Sequence, residues 1–269
     1  MLRRRLQDRH TCEQSFAWRG SGSGITLRLM TPNAAFNPTR WSLIAILNSG
    51  EAARMDEALG KLCSAYWYPL YAYVRRAGHS PDDAADLTQS FFAHLLEKQL
   101  LARADPARGR LRTFLLTAMQ HFLRDDWRRQ QRLKRGGGVV LISLDEPLAE
   151  SLYASEPADP TTPEALYLRC WALTLLDRTV ADLEAAYARD GKTALFEALK
   201  STLVDESDAP SAVEIGSQLG MEPGAVRMAI SRLRRRYRDR LLAEVAMSMD
   251  AQSEAEVDEE IAALFRALS

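Results

Sequence analysis

From Trp41 onward apolar residues recur every three or four positions, and strict alternation is scarce, so the pattern predicts helices and an all-α protein. Helices are expected near 40–48, 53–77, 81–98 and 110–133, with Gly78 ending one and Ser80-Pro81 opening the next. The short connections make these segments antiparallel neighbours in one bundle. A second bundle is predicted to open at Thr161-Thr162-Pro163-Glu164. There Thr161 and Glu164 have capping-box spacing, and Pro163 suits a first helical turn. Leu166, Leu173, Leu176, Val180, Leu183 and Tyr187 give the following long helix one apolar face until Asp190-Gly191 ends it. A shorter helix is expected over 192–204, and the run from Asp205 to Pro210 breaks the pattern before the last helices.

Between the bundles, residues 136–163 begin with three glycines, contain Pro147, Pro157, Pro160 and Pro163, and hold no basic residue. They read as an acidic linker. Residues 1–39 include Gly20-Ser21-Gly22-Ser23-Gly24 and show no sustained period, so a flexible extension is expected, with Met30 as an alternative start. The predicted organisation is that extension, a helical domain over 40–135, the linker over 136–163, a second helical domain over 164–245, and an acidic tail helix over 246–269.

The net charge of −1 conceals strong segregation. Residues 1–39 carry +4, 40–135 carry +6, 136–163 carry −5, 164–209 carry −4, 210–240 carry +4, and 241–269 carry −6. Two basic blocks separated by acidic ones suit a protein that touches a polyanion at two places.

In Ser211 to Val226 a short helix ends at Gly220 and another starts with Pro223, which is helix-turn-helix spacing. Gly216 is small where the helices must cross, Gly220 permits the turn, and Ile215, Leu219, Met221 and Val226 supply apolar contacts. Val226, Ile230, Leu233 and Tyr237 share one stripe of the second helix, and Arg227, Ser231, Arg234 and Arg238 share the adjacent one. Such a helix can enter a major groove, where arginine bonds phosphates or guanine edges. The candidate DNA contacts are Arg227, Met228, Ser231, Arg232, Arg234 and Arg235; the bland alternative is a solvated basic helix.

The first domain has its own basic helix. Leu111, Leu115, Ala118 and Phe122 form a core stripe, beside which stand His121, Arg124, Arg128 and Arg132. Arg124 to Arg135 holds six basic residues around Trp127. Arginine planes and aromatic rings stack on unstacked bases, so this surface could hold a melted strand. Phe114 and Phe122 are expected in the core, and Trp127 fits either role.

The stretch Asp83-Ala-Ala-Asp86-Leu-Thr-Gln89-Ser-Phe-Phe-Ala-His-Leu-Leu resembles region 2.2 of the extracytoplasmic-function (ECF) sigma factors. Leu111 to Arg129 resembles their regions 2.3 and 2.4, and the helix-turn-helix at 212–240 resembles their region 4. The resemblance covers about 40–245. It implies docking on core RNA polymerase, with Leu87, Phe91 and Leu95 packed inward and Asp86, Gln89 and Ser90 facing the enzyme. It also implies promoter DNA as partner, with Gln120, His121, Arg124, Arg128 and Arg132 at the minus-ten element and region 4 at the minus-thirty-five element. The loop 100–109 would hold a flipped base, and an anti-sigma factor is a further partner to test for. The family often has Arg-Asn where this chain has Gln120-His121, and a Ser cap where it has Glu222. The two promoter elements lie roughly 70 Å apart at about 34–36 Å per turn, and an extended linker of this length reaches roughly 90 Å.

Enzymatic activity is not expected. His10, His79, His94 and His121 lack carboxylate or cysteine partners at catalytic or metal-ligand spacing, and no cofactor motif is present. Cys12, Cys63 and Cys170 are widely separated, as buried or idle thiols would be. No apolar stretch of signal-peptide or membrane-span length follows Arg3-Arg4-Arg5, so no membrane role and a cytoplasmic location are expected. The rival function is a helix-turn-helix regulator that acts without docking on polymerase. In the tail, Val257, Ile261, Leu264 and Leu268 fall at helical spacing among five acids, which reads first as a solvated terminal helix, the alternative being a helix that folds against the basic helix 227–240 and weakens DNA binding by the free chain.

Overall fold

The computed structural model describes residues 15–20, 23–28, 40–49, 52–105, 109–132, 142–143, 146–156, 162–203, 210–249 and 253–268. Helices dominate, as the periodicity predicts: α1 Arg40–Ser49, α2 Ala52–Arg76, α3 Pro81–Glu97, α4 Leu111–Arg132, α5 Glu146–Ala154 and α6 Pro163–Arg189. They continue as α7 Thr193–Leu199, α8 Ala212–Leu219, α9 Pro223–Met249 and α10 Glu254–Leu268, with 3-10 turns at Leu100–Arg103 and Lys200–Leu203. The described residues are all-α apart from three short strands, β1 Ser15–Gly20, β2 Ser23–Arg28 and β3 Ile142–Ser143, in antiparallel order β2-β1-β3. Their signal is local: Phe16 and Trp18 alternate in β1 and Ile25 and Leu27 in β2, with Trp18 opposite Ile25. This hairpin occupies part of the expected N-terminal arm.

The helix ends follow from capping. Ser80 Oγ accepts the N–H of Asp83 at 3.2 Å, Pro81 takes the first turn, and Asp82 and Asp83 complement the positive end of α3. At α6 the cap is Thr162, whose Oγ1 accepts from Ala165 N at 3.2 Å; Thr161, expected in that role, lies outside the described residues. Gly191, at φ +67°, closes α6 as the sequence pattern requires, and Lys192 N donates to Tyr187 O at 2.8 Å.

The chain divides into two compact units, and their boundaries differ from those expected. The first comprises Glu13–Met30, Ala35–Thr174 and Ala246–Ser269; the second contains Leu175–Val245. The first division therefore falls inside α6, not in 136–163. The core of the first unit is built from Tyr66, Leu70, Tyr71, Phe91, Phe92, Leu95, Leu111, Leu115, Leu166 and Tyr167, all fully buried. Phe91 meets Phe92 and Phe122 edge-on at 5.8 Å, and Trp67 stacks on Tyr71 at 5.2 Å.

The acidic segment is not an open tether where it is described. Glu150 of α5 accepts from Arg75 Nε at 2.9 Å, from Arg75 Nη2 at 2.7 Å and from Tyr71 Oη at 2.7 Å. Glu156 is buried against Tyr68 Oη at 3.1 Å and the Arg169 guanidinium at 3.5 Å, and Tyr153 lies under Arg75 at 4.7 Å. Glu150 and Glu156 thus serve as ion-pair partners inside the first unit, so 28 extended residues are not available in this state. The tail helix α10 belongs to the first unit, where Glu260 is buried against Arg110 and Arg112.

The second unit is organised around Val180, Leu183, Tyr187, Phe196, Leu199, Ile215, Val226 and Leu233. Ser211 and Glu214 form a reciprocal capping box on α8, and Gly220 ends it at φ +64°. Gly216 abuts the turn so closely that a Cβ there would lie 2.5 Å from Met221 O. Cys63 and Cys170 are buried thiols, and burial pushes the Cys63 thiol up to about 12. Cys12 lies outside the described residues.

Candidate nucleic-acid interface

Helix α3 sorts its faces by burial. Ala84, Thr88, Phe91, Phe92 and Leu95 are buried and Leu87 is half-buried, while Asp82, Asp83, Asp86, Ser90 and Glu97 are exposed. Asp86 and Ser90, four residues apart, stand as neighbours on the outward face. Gln89 does not join them. At 5% exposure it lies on the inward side, because a residue three positions before Phe92 is carried round with it. Gln89 is thus buried, not on the outward face where a polymerase contact was expected of it.

Helix α4 presents a polar and aromatic surface. Leu111, Leu115 and Met119 are buried, and Phe114, Ala118 and Phe122 are half-buried. Phe122 closes on Phe91 at 5.8 Å and on His94 at 5.4 Å. Trp127 resolves in the other direction, with 62% of its surface exposed. His121 and Arg124 are also exposed and touch each other, with Arg124 Nη2 2.7 Å from His121 Nδ1. Arg124 Nε donates to Gln120 O at 3.3 Å, which lays the guanidinium along its own helix.

Gln120 faces inward more than expected. It is half-buried, and its Nε2 donates to Glu164 Oε1 at 3.1 Å, so its amide ties α4 to the start of α6. Nearby, burial raises the Tyr73 phenol, with Gln120 and Glu164 as its polar neighbours. Gln120 thus supports the surface that His121 and Arg124 display. The side chains of Arg128 and Arg132 lie outside those described.

In the second unit, Arg227, Met228, Ser231, Arg232 and Arg235 are all exposed on α9. Val226 and Leu233 are buried on the opposite side, and Ala229, Ile230 and Tyr237 pack beside them. Burial pushes the Tyr237 phenol up to about 12, with Asp177 adding to the effect, so it stays protonated at neutral pH. Arg235 is 86% exposed and meets Asp239 only at 4.0 Å, a separation that leaves it hydrated. Arg234 must be taken off the expected reading face. Its Nε and Nη2 donate to Thr202 O at 3.2 and 3.0 Å, which fastens α9 to the turn after α7. A heptad-like count along α9 puts Arg234 beside Arg227, but the carbonyls at the end of that turn attract it inward.

Sequence reasoning missed Arg110 and Arg112, which flank the start of α4. Arg112 is buried with its guanidinium 4.5 Å above the Trp171 ring, and Tyr167 Oη donates to Arg112 O at 2.9 Å. Their partner, Glu260, is about 150 residues away in sequence, so no local spacing announces the pair.

Among the described residues no helix is long and apolar enough to cross a membrane. Residues 64–133 match the family model for Sigma-70 region 2, a span that takes in the second half of α2, all of α3 and all of α4. No curated protein and no solved structure matches the chain. The matched span is the one that exposes Asp86 and Ser90 on α3 and His121, Arg124 and Trp127 on α4.

Proposed function

We propose that the chain is a sigma factor of the extracytoplasmic-function type, working in the cytoplasm with core RNA polymerase and promoter DNA. Asp86 and Ser90 on α3 meet the polymerase. His121, Arg124 and Trp127 on α4 hold the minus-ten element, where the ring and guanidinium stack on unpaired bases at roughly 1–3 kcal/mol each. Arg227, Met228, Ser231, Arg232 and Arg235 on α9 face the minus-thirty-five element in the major groove. The chain acts by binding, and bond formation belongs to the polymerase.

The observation that carries this reading is the exposed His121–Arg124–Trp127 surface within the span matched to Sigma-70 region 2. Trp127, at 62% exposure on the same helix as exposed His121 and Arg124, suits a platform for an unstacked base. The test is transcription in vitro from fragmented genomic DNA by bacterial core polymerase with the purified chain. Start sites sharing two upstream elements are expected; no chain-dependent transcripts would end the reading.

A further inference from the structure

Helix α10 packs on the first unit through Leu264, which is buried, and Val257, Ile261 and Leu268, which are half-buried, and its other buried residue is a charge, Glu260. Arg110 Nη1 lies 2.7 Å from Glu260 Oε2, Arg112 Nη2 donates to the same oxygen at 3.1 Å, and Arg112 Nη1 pairs with Oε1. At the far end, Arg169 Nη1 donates to Leu268 O at 2.7 Å. Glu254, Glu256, Asp258 and Glu259 are exposed around this anchor. With a carboxylate at the centre of its packed face, the helix is held partly by charge, and charge is what a competing polyanion displaces.

The anchor has the form of an anion site. Two guanidinium groups converge on one carboxylate, the arrangement in which arginine also takes phosphate. They stand at the N-terminal end of α4, where the helix itself favours a negative group. Arg110 keeps a third of its side chain in solvent, so the site opens to the surface once the carboxylate leaves.

We propose that Arg110 and Arg112 form a binding site for a backbone phosphate of promoter DNA, and that Glu260 occupies it in the free chain. The acidic helix α10 is then an intramolecular competitor, released when DNA engages α4. This rests on the reading of α4 as a DNA-facing helix and adds to it a site and a means of self-restraint.

The test uses the full chain and a fluorescent single-stranded oligonucleotide, with affinity followed by anisotropy over a range of salt. Glu260→Gln should bind about tenfold more tightly at low salt, with a log–log salt slope steeper by about 0.7 for each phosphate gained. Adding Arg110→Gln to that variant should remove the gain. A folded Glu260→Gln chain with unchanged or weaker binding overturns the proposal. Should that variant not fold, hydrogen exchange on the natural chain decides: amides 254–268 must lose protection on saturation with oligonucleotide, and retained protection overturns it. Arg124→Gln is the separate arm. If it leaves oligonucleotide binding intact, the DNA-facing reading of α4 itself has failed; if it weakens binding while Glu260→Gln changes nothing, only the competitor has failed.

Discussion

Arg75 and Glu150 face one another through two near-parallel bonds, Nη2 to Oε1 at 2.7 Å and Nε to Oε2 at 2.9 Å. This fork joins the end of α2 to a helix within the most acidic stretch between the two basic blocks. The hydrogen bonds from Arg75, with that from Tyr71, hold the Glu150 carboxyl below its ordinary value. The group titrates lower in the folded chain than in the unfolded one. Its contribution is therefore complete above the unfolded value, roughly 4.3, and fades as pH falls through the lower folded value. Glu150→Gln should lower stability by about 1–2 kcal/mol near neutral pH, at the modest end because a third of the side chain meets solvent. Denaturant titrations of both proteins from pH 7 to 3 check this, and the difference should shrink toward the acid end.

The close approach at Gly216 makes a second expectation. An alanine Cβ there would meet a backbone oxygen, Met221 O, which cannot swing away as a side chain end can. Gly216→Ala should destabilise the second unit by about 1–3 kcal/mol as the helices are forced apart. Gly224→Ala, which meets nothing within 4 Å, is the control on the next helix. Thermal melts of the two variants measure the contrast.

Two arginines seven residues apart on α9 should behave oppositely. Arg227 is exposed, and Arg227→Ala should leave stability within about 0.5 kcal/mol while weakening promoter binding by about 1–3 kcal/mol. Arg234 is fastened to Thr202 O, and Arg234→Ala should cost about 1–2 kcal/mol of stability through the lost charged bonds. Paired melts and duplex titrations over a salt series separate these outcomes.

Trp127 gives the most direct test of the α4 surface. Because the ring is mostly in solvent, Trp127→Ala should leave the melting midpoint almost unchanged. It should weaken binding of a single-stranded minus-ten oligonucleotide by about 1–3 kcal/mol. Quenching of the natural chain's tryptophan fluorescence on adding that oligonucleotide gives an independent readout.

Much of this architecture could be read in the chain's spacing. Val180, Leu183 and Tyr187 lie on one face of a helix that Gly191 ends, and Gly216 and Gly220 stand where the close approach and the turn between α8 and α9 need them. What could not be read was pairing over distance. Glu150, Glu156 and Glu260 look like solvated acids in sequence, because their partners Arg75, Arg169 and Arg112 are brought to them only by folding. A weaker signal was present at α5: Pro147 in its first turn, then Leu148, Ala149, Leu152 and Tyr153 at helical spacing. At Gln89, Gln120 and Arg234 the helical period was right but the width of the buried face was not. Each lies at the edge of a stripe, where a neighbouring element decides which way a long polar side chain turns.

The central claim is that α3 docks the chain on RNA polymerase before any DNA is present. The measurement is the affinity of the purified chain for core enzyme without DNA, set against that of Asp86→Lys, which changes an exposed residue and leaves the buried face of α3 intact. The account predicts a stable complex that the substitution weakens by tenfold or more, roughly 1.4 kcal/mol. A natural chain that fails to bind core enzyme, or one that binds equally well with Lys at position 86, would contradict it.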